Sequence, residues 1–262
     1  MEGNIPRQKI QQKSMKECVG KTMKGLIPAA GMGTRLKPLT LAVPKELLIV
    51  GEQAVIEHVI DSMKIAGITD ITIVVGWKKH AILDYLGSGA RLDVNINYVV
   101  QDEQNGLAKA VAAGQKVMND DDFVVILGDD FFYPKTFLRD LIQFHHKHDA
   151  DATIGVAEVE DVTRHGIIKT EGNMVIDLIE KPSVDKAPSN LGIMGVYIFK
   201  SSIFDMIEQT KPGHGNEYQL TDSIKCLVTN GKKVVFDMIN GEHIDVGTMH
   251  DLKKANISFA QL

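Results

Sequence analysis

The sequence predicts an α/β fold, a mainly parallel sheet with helices on both faces. Three observations carry that prediction. Short β-rich runs recur along the chain, such as residues 70–75 (DITIVV) and 123–127 (FVVIL). Between them lie longer stretches whose apolar residues repeat at helical spacing. Residues 123–127 are apolar throughout, the pattern of a parallel strand covered on both faces. Strands separated by helices return in parallel. At 262 residues, 44% hydrophobic and 24% charged, the chain is long enough for a real core and ordinary for a globular protein.

Residues 26–29 read as the first strand, with Pro28 near its end, where the ladder tolerates a missing donor. Residues 54–66 carry apolar side chains at 55, 56, 59, 60 and 63, a helix that Gly67 stops. The strand 70–75 is β-branched and suits a pleated surface. Residues 78–86 read as a helix ended by Gly87, 94–100 as a strand, 107–117 as a helix and 123–127 as a strand. A helix over 136–148 follows, with Thr136 as its N-cap. The second half then changes character and the sheet becomes mixed. Strands crowd at 152–159, 167–169, 174–179 and 193–199. Helices at 202–209 and 220–229, a strand at 233–238 and a helix from Thr248 complete the chain. No repeat of 20–50 residues and no hexapeptide β-helix pattern is present.

Composition excludes several function classes. A net charge of −5 without any Lys/Arg run argues against a general nucleic-acid surface. The two cysteines, Cys18 and Cys226, lie far apart in no paired motif, which fits a reducing, cytoplasmic setting and no disulfide scaffold. No apolar run approaches the roughly 20 residues of a membrane span. Residues 1–22 are polar and lack an apolar core, so they are expected to be a flexible extension rather than a secretory signal.

The stretch 24–46, KGLIPAAGMGTRLKPLTLAVPKE, concentrates the chemistry. A strand runs into a loop holding Gly31, Gly33, Arg35, Lys37 and Lys45. Such a turn bares backbone N–H groups, and nearby cations add charge-assisted bonds, so the loop reads as a triphosphate site. Leu36 stands where a dinucleotide fingerprint needs a third Gly, and no Gly-Lys-Ser/Thr follows. Strand 123–127 ends in Gly128-Asp129-Asp130, at the carboxyl edge where open sheets bind ligands. Asp129 or Asp130 is a candidate for Mg²⁺, which takes one or two carboxylates plus phosphate oxygens; a strand-end Asp serves equally as a turn residue. Asp245, in HIDVGT, is a second acid, and a helix-start carboxylate is its bland alternative. Glu180-Lys181-Pro182 ends another strand; Lys181 offers a mobile charge for phosphate and Glu180 an acceptor for hydroxyls, or the segment is an exposed turn. His145, His146 and His148 invite a metal reading, but no acid or thiol completes a set, so they are expected on a solvated helix face. Trp77 and Tyr85 are expected to pack. No Gly-x-Ser-x-Gly or Cys–His pair suggests a protein nucleophile.

Together these motifs resemble the sugar-1-phosphate nucleotidylyltransferases. The match runs from Leu26-Ile-Pro-Ala-Ala-Gly-Met-Gly-Thr-Arg35 through Pro44-Lys45-Glu46, Gln101, Gly106-Leu107-Ala108, Leu127-Gly128-Asp129 and His165-Gly166-Ile167-Ile168. It continues in Glu180-Lys181-Pro182, Ala187-Pro188-Ser189-Asn190-Leu191 and Asp245-Val246-Gly247-Thr248, covering about residues 23–260. PKE, APSNL and residues 212–222 look most like bacterial-type UTP–glucose-1-phosphate uridylyltransferases. Gly-Leu-Ala-Lys and Leu-Gly-Asp-Asp-Phe-Phe-Tyr look partly like glucose-1-phosphate thymidylyltransferases, in which Asn usually stands where this chain has Asp130.

The resemblance implies a Rossmann-like, mixed but mainly parallel fold of the nucleotide-diphospho-sugar transferase type. It implies one domain over 23–262, with a nucleotide-binding half at about 23–130 and a sugar-binding half at about 131–262. The implied reaction is Mg²⁺-assisted in-line attack of glucose 1-phosphate on UTP, giving UDP-glucose and pyrophosphate. Arg35, Lys45 and Lys181 would be catalytic, and Asp129 and Asp245 would hold the metal. The nucleotide would lie on Ala29, Ala30, Gly31, Gly33, Thr34, Arg35, Lys45, Gln101 and Gly106, and the sugar on Gly166, Glu180, Lys181, Asn190 and Ile193. A dimer or tetramer is the implied assembly, with no nucleic-acid or membrane partner. The rivals are dTTP or another sugar phosphate as substrate, and a catalytically silent homologue that binds a nucleotide sugar to regulate a partner. A nicotinamide-dependent enzyme fails on the missing third glycine.

Overall fold

A computed structural model describes residues 23–118 and 121–260. Residues 1–22, with Cys18 and the expected N-terminal extension, lie outside the described residues. The chain opens with β1 (Lys24–Ala29), two short strands β2 (Ile49–Val50) and β3 (Gln53–Ala54), and helix α1 (Val55–Ile65). There follow β4 (Asp70–Val75), α2 (Lys79–Leu86), β5 (Asn95–Val100), α3 (Leu107–Ala113), α4 (Gln115–Met118) and β6 (Phe123–Ile126). Next come β7 (Asp130–Tyr133), α5 (Phe137–His148), β8 (Ala152–Glu158), β9 (Gly166–Glu171) and β10 (Met174–Glu180). The chain ends with β11 (Leu191–Phe199), α6 (Ser202–Gln209), α7 (Leu220–Thr229), β12 (Val234–Met238), β13 (Glu242–Asp245) and α8 (Met249–Phe259).

Nine strands form one sheet in the order β5-β4-β1-β6-β11-β8-β12-β10-β9. The first four pair in parallel, as the helix-spaced runs predict. β11 is antiparallel to both β6 and β8, so the second half is mixed. Pairing of β1 with β6 ends at Leu26 opposite Val125, short of Pro28, so no ladder bond to that neighbour is lost there. Side chains alternate across the sheet. Ile27, Val124 and Ile126 join the core under α1, α2 and α5, whereas Leu26, Phe123 and Val125 join the core under α3, α6 and α7. Both faces are therefore covered.

Several local expectations change. The helix expected over 107–117 breaks at Gly114, where a Cβ would lie 2.6 Å from Leu26 Cδ1. Thr136 takes the N-cap position of α5 but makes no side-chain capping bond; its backbone is already helical at φ −78°, ψ −12°. Thr248 does cap α8, its Oγ1 accepting from Asp251 N at 3.2 Å. Trp77 and Tyr85 do not pack inside: they are 45% and 40% exposed, and the Tyr85 hydroxyl donates to Glu57 Oε2 at 3.1 Å. Nor is His145 solvated; it is buried, with Nδ1 2.8 Å from Thr153 Oγ1. Cys226 is a free, part-buried thiol. Among the described residues no helix is long and apolar enough to cross a membrane.

His58, on α1, sits between Phe131 and Phe259 with ring centroids 4.4 and 5.2 Å away. Its Nε2 meets Val50 O at 3.0 Å, and its Nδ1 has no partner. Burial lowers its pKa. A histidine depressed in the folded state stabilises fully above its unfolded value of about 6.5, and the contribution is lost as pH falls below that. We expect Tm to fall between pH 6.5 and 5 more steeply in the wild type than in His58→Gln. Parallel Tm–pH curves would contradict the assignment.

Candidate active site

The loop after β1 is shaped by glycine and threonine. Gly33 takes a left-handed φ of 60°, and a Cβ there would sit 2.9 Å from Thr40 Cγ2. Thr40 Oγ1 donates to Gly33 O at 2.8 Å, and buried Leu36 pins the loop to the core. Thr34 and Arg35 are left exposed on its rim. The loop also reaches across the cleft: a Cβ on Gly247 would lie 3.2 Å from Arg35 Nη2 and 3.1 Å from both Asp245 carboxylate oxygens.

Lys45 turns under this loop and forms an ion pair with Asp129, just past β6. Burial alone would depress the ammonium, but Asp129 and Glu46 outweigh it and raise its pKa. Glu46 is 1% exposed, and neither carboxylate oxygen has a hydrogen-bond partner. Burial pushes its carboxyl up to about 8 against the pull of Lys45.

Asp129 and Asp245, 116 positions apart, meet through a small hairpin-like pairing. β7 and β13 pair antiparallel with Asp245 opposite Asp130, and Val246 N donates to Asp129 O at 3.1 Å. Burial, then Asp130 and Asp129, push the Asp245 carboxyl up to about 7. Asp130 is buried beside His243, whose Nε2 is 3.2 Å from Oδ1. Gly195 makes room for it. Its φ is +67°, and a Cβ would stand 2.1 Å from Asp130 Oδ2. We therefore expect Gly195→Ala to cost about 2–4 kcal/mol, from left-handed backbone strain plus overpacking. Chemical denaturation measures this, and an unchanged midpoint would contradict it.

The residues expected to meet a nucleotide that line the cleft are Ala30, Gly31, Gly33, Thr34, Gln101 and Gly106. Gln101 Nε2 is 3.4 Å from Gly106 O, and Gln104 Nε2 donates to Gln101 O at 3.1 Å. Gly106 has φ +123°, and a Cβ would fall 2.4 Å from Tyr218 O. The residues expected to meet a sugar that line it are Gly166, Glu180, Lys181 and Ile193. Thr221 Oγ1 donates to Glu180 Oε2 at 2.6 Å, and Lys181 Nζ lies 3.4 Å from Glu180 Oε1. Gly166 lacks the Cβ that would come within 2.7 Å of Thr221 Oγ1. Lys181 is left-handed at φ 43°, and its N donates to His165 O at 3.0 Å.

Ala30, Gly31, Gly33, Thr34, Gln101, Gly106, Gly166, Glu180, Lys181 and Ile193 border one cavity of about 700 Å³ that is also lined by Arg35, Lys45, Asp129 and Asp245. Two expected residues do not line it. Ala29 is buried at the end of β1, and Asn190 is exposed, its carbonyl accepting from Val159 N at 2.9 Å. Arg164, His165, Gly195, Thr221 and His243 also line the wall without having been singled out in the sequence; Asp130, named there as the alternative to Asp129, lines it as well. Glu46 and Thr221 fall inside motifs already visible in the sequence, PKE and QLTD. Nothing local marks Gly195, and His243 opens the HIDVGT segment that Asp245 alone was read from.

The acidic pair fits a hard divalent cation. Mg²⁺ needs one or two protein carboxylates and draws its other ligands from phosphate and water. Asp129 and Asp245 supply two, and both border the same cavity. Among the described residues no group of three or more His, Cys, Asp or Glu side chains is arranged to hold a metal without such outside ligands.

Known proteins resemble the chain along most of its length. A relative from Haloferax volcanii named as a low-salt glycan biosynthesis nucleotidyltransferase is 37% identical over 237 residues. The alignment covers 89% of this chain and 65% of that protein, so the chain spans just under two thirds of that relative. A Bacillus subtilis protein named UTP–glucose-1-phosphate uridylyltransferase is 35% identical over 256 residues, 87% of this chain and 86% of its own. The crystal structure of a UDP-glucose pyrophosphorylase complexed with UDP-glucose matches with a TM-score of 0.85 at 29% identity, covering 92% of this chain and 99% of that one. The family model described as Nucleotidyl transferase spans residues 24–261, from the first strand to the end of the last helix. With that model spanning nearly all of the described residues, the chain belongs to the nucleotidyl transferase family.

Proposed function

We propose that the protein transfers the uridylyl group of UTP to glucose 1-phosphate, giving UDP-glucose and pyrophosphate. The observation that carries this is the convergence of Arg35, Lys45, Asp129, Lys181 and Asp245 on one cavity with a glycine loop on one side and an anchored Glu180 on the other. The choice of uracil and glucose rests on the names of relatives such as the Bacillus subtilis enzyme.

In this reading a phosphate oxygen of the sugar attacks the α-phosphorus in line, and pyrophosphate leaves. No protein nucleophile is needed, so the protein contributes positioning and charge. Lys181 holds the attacking phosphate. Lys45 and Arg35 meet the triphosphate, and Arg35 takes charge developing on the leaving group. Glu180, fixed by Thr221, accepts from sugar hydroxyls. Ala30, Gly31, Gln101 and Gly106 border the base and ribose. A Mg²⁺ ion held by Asp129 and Asp245 would neutralise phosphate charge as it shifts. We further infer a nucleotide half at about 23–130 and a sugar half at about 131–262, acting in the cytoplasm as a dimer or tetramer.

The test is a pyrophosphate-release screen of UTP, dTTP, CTP and GTP against several sugar 1-phosphates. UTP with glucose 1-phosphate is expected to have the largest kcat/KM. A larger value with dTTP would assign the thymidylyl reaction instead. Release from no pair would overturn transfer altogether.

A further inference from the structure

Four Lys and Arg side chains line the cavity: Arg35, Lys45, Lys181 and Arg164. Lys45 is paired with Asp129, and Lys181 lies beside Glu180, both of them wall carboxylates. Arg164 differs. Its one ion pair is long, Nη2 to Asp251 Oδ2 at 3.7 Å, and Asp251 is not part of the wall. Asp251 Oδ2 also accepts from Thr248 Oγ1 at 2.7 Å, so it keeps a partner if Arg164 turns away. The Arg164 side chain is 47% exposed and can reorient without unpacking the core.

Its place in the fold says which substrate it meets. Arg164 immediately precedes His165 and Gly166 on the sugar side. Gly166 pairs with Glu180 across β9 and β10, and Lys181 N donates to His165 O at 3.0 Å. Arg164 is thus one residue removed from the backbone hydrogen bond that Lys181 makes. We infer that Arg164 is a further substrate-binding residue, exchanging Asp251 for the phosphate of the sugar 1-phosphate, a role that rests on the transfer reading above. A guanidinium suits it because its planar fork reaches two phosphate oxygens at once, where the Lys181 ammonium acts as a single point of charge.

The test compares wild type, Arg164→Gln and Arg164→Lys in steady-state kinetics with UTP and glucose 1-phosphate, alongside calorimetric binding of glucose 1-phosphate alone. We expect Arg164→Gln to raise KM for glucose 1-phosphate at least tenfold, to leave KM for UTP within twofold, and to leave Tm unchanged. Arg164→Lys should recover part of the loss, and Kd for glucose 1-phosphate should follow the same order. A glucose 1-phosphate KM within twofold of wild type, an equal rise in both KM values, or no recovery with Lys would overturn the role. A wild type that releases no pyrophosphate from any pair contradicts the transfer reading itself; an active wild type with an unaffected Arg164→Gln contradicts only this role.

Discussion

Asp129→Asn is expected to lower turnover about a thousandfold while leaving the protein folded. Metal-borne charge stabilisation contributes several kcal/mol to such reactions, and about 4 kcal/mol is a factor of a thousand in rate. The fold should survive because two opposing effects change together. The substitution weakens the ion pair with Lys45, but it also removes a carboxylate that, after burial and Asp130, helps push Asp245 up to about 7. Circular dichroism and a Tm scan separate loss of activity from loss of fold. Full Mg²⁺-dependent activity in this variant would remove Asp129 from the site's chemistry.

Arg35→Ala is the second large effect. Removing one preorganised charge or donor from a developing anion costs about 10²–10³ in rate. Arg35 is exposed, and no ion pair holds it among the described residues, so the change should move stability by less than about 0.5 kcal/mol. Kinetics with varied UTP should show a loss in kcat as well as in kcat/KM, because the leaving group gains charge as the bond breaks. A change confined to KM would place Arg35 on the ground-state triphosphate only.

Much of this was legible in the sequence where the cause is local. A β-branched run gives β4, an unbroken apolar run gives β6, helical spacing gives α1, and the order of strands and helices gives the parallel half of the sheet. The loop with Gly31, Gly33, Arg35 and Lys45 was readable because backbone amides and cations bunched in one stretch need no distant partner. What escaped depends on pairing across the chain. DFFY and EHID are four-residue strands separated by more than a hundred positions, and neither has a pattern that names the other. Their pairing nonetheless brings Asp245 opposite Asp130 and sets His243 against its carboxylate. Gly195 is silent for the same reason: only the register shift in β11 and the nearby Asp130 explain why a side chain cannot stand there. Asn190 errs in the other direction, since its motif matches while its side chain lies exposed outside the cavity wall.

The central claim is direct transfer within this one cavity, without a covalent stage on the protein. It is tested by incubating the protein with Mg²⁺, glucose 1-phosphate and UTP labelled at the α-phosphorus. The predicted result is label in UDP-glucose, unlabelled pyrophosphate and no label on denatured protein. Label retained on the protein, or released as a uridine phosphate lacking sugar, would contradict it.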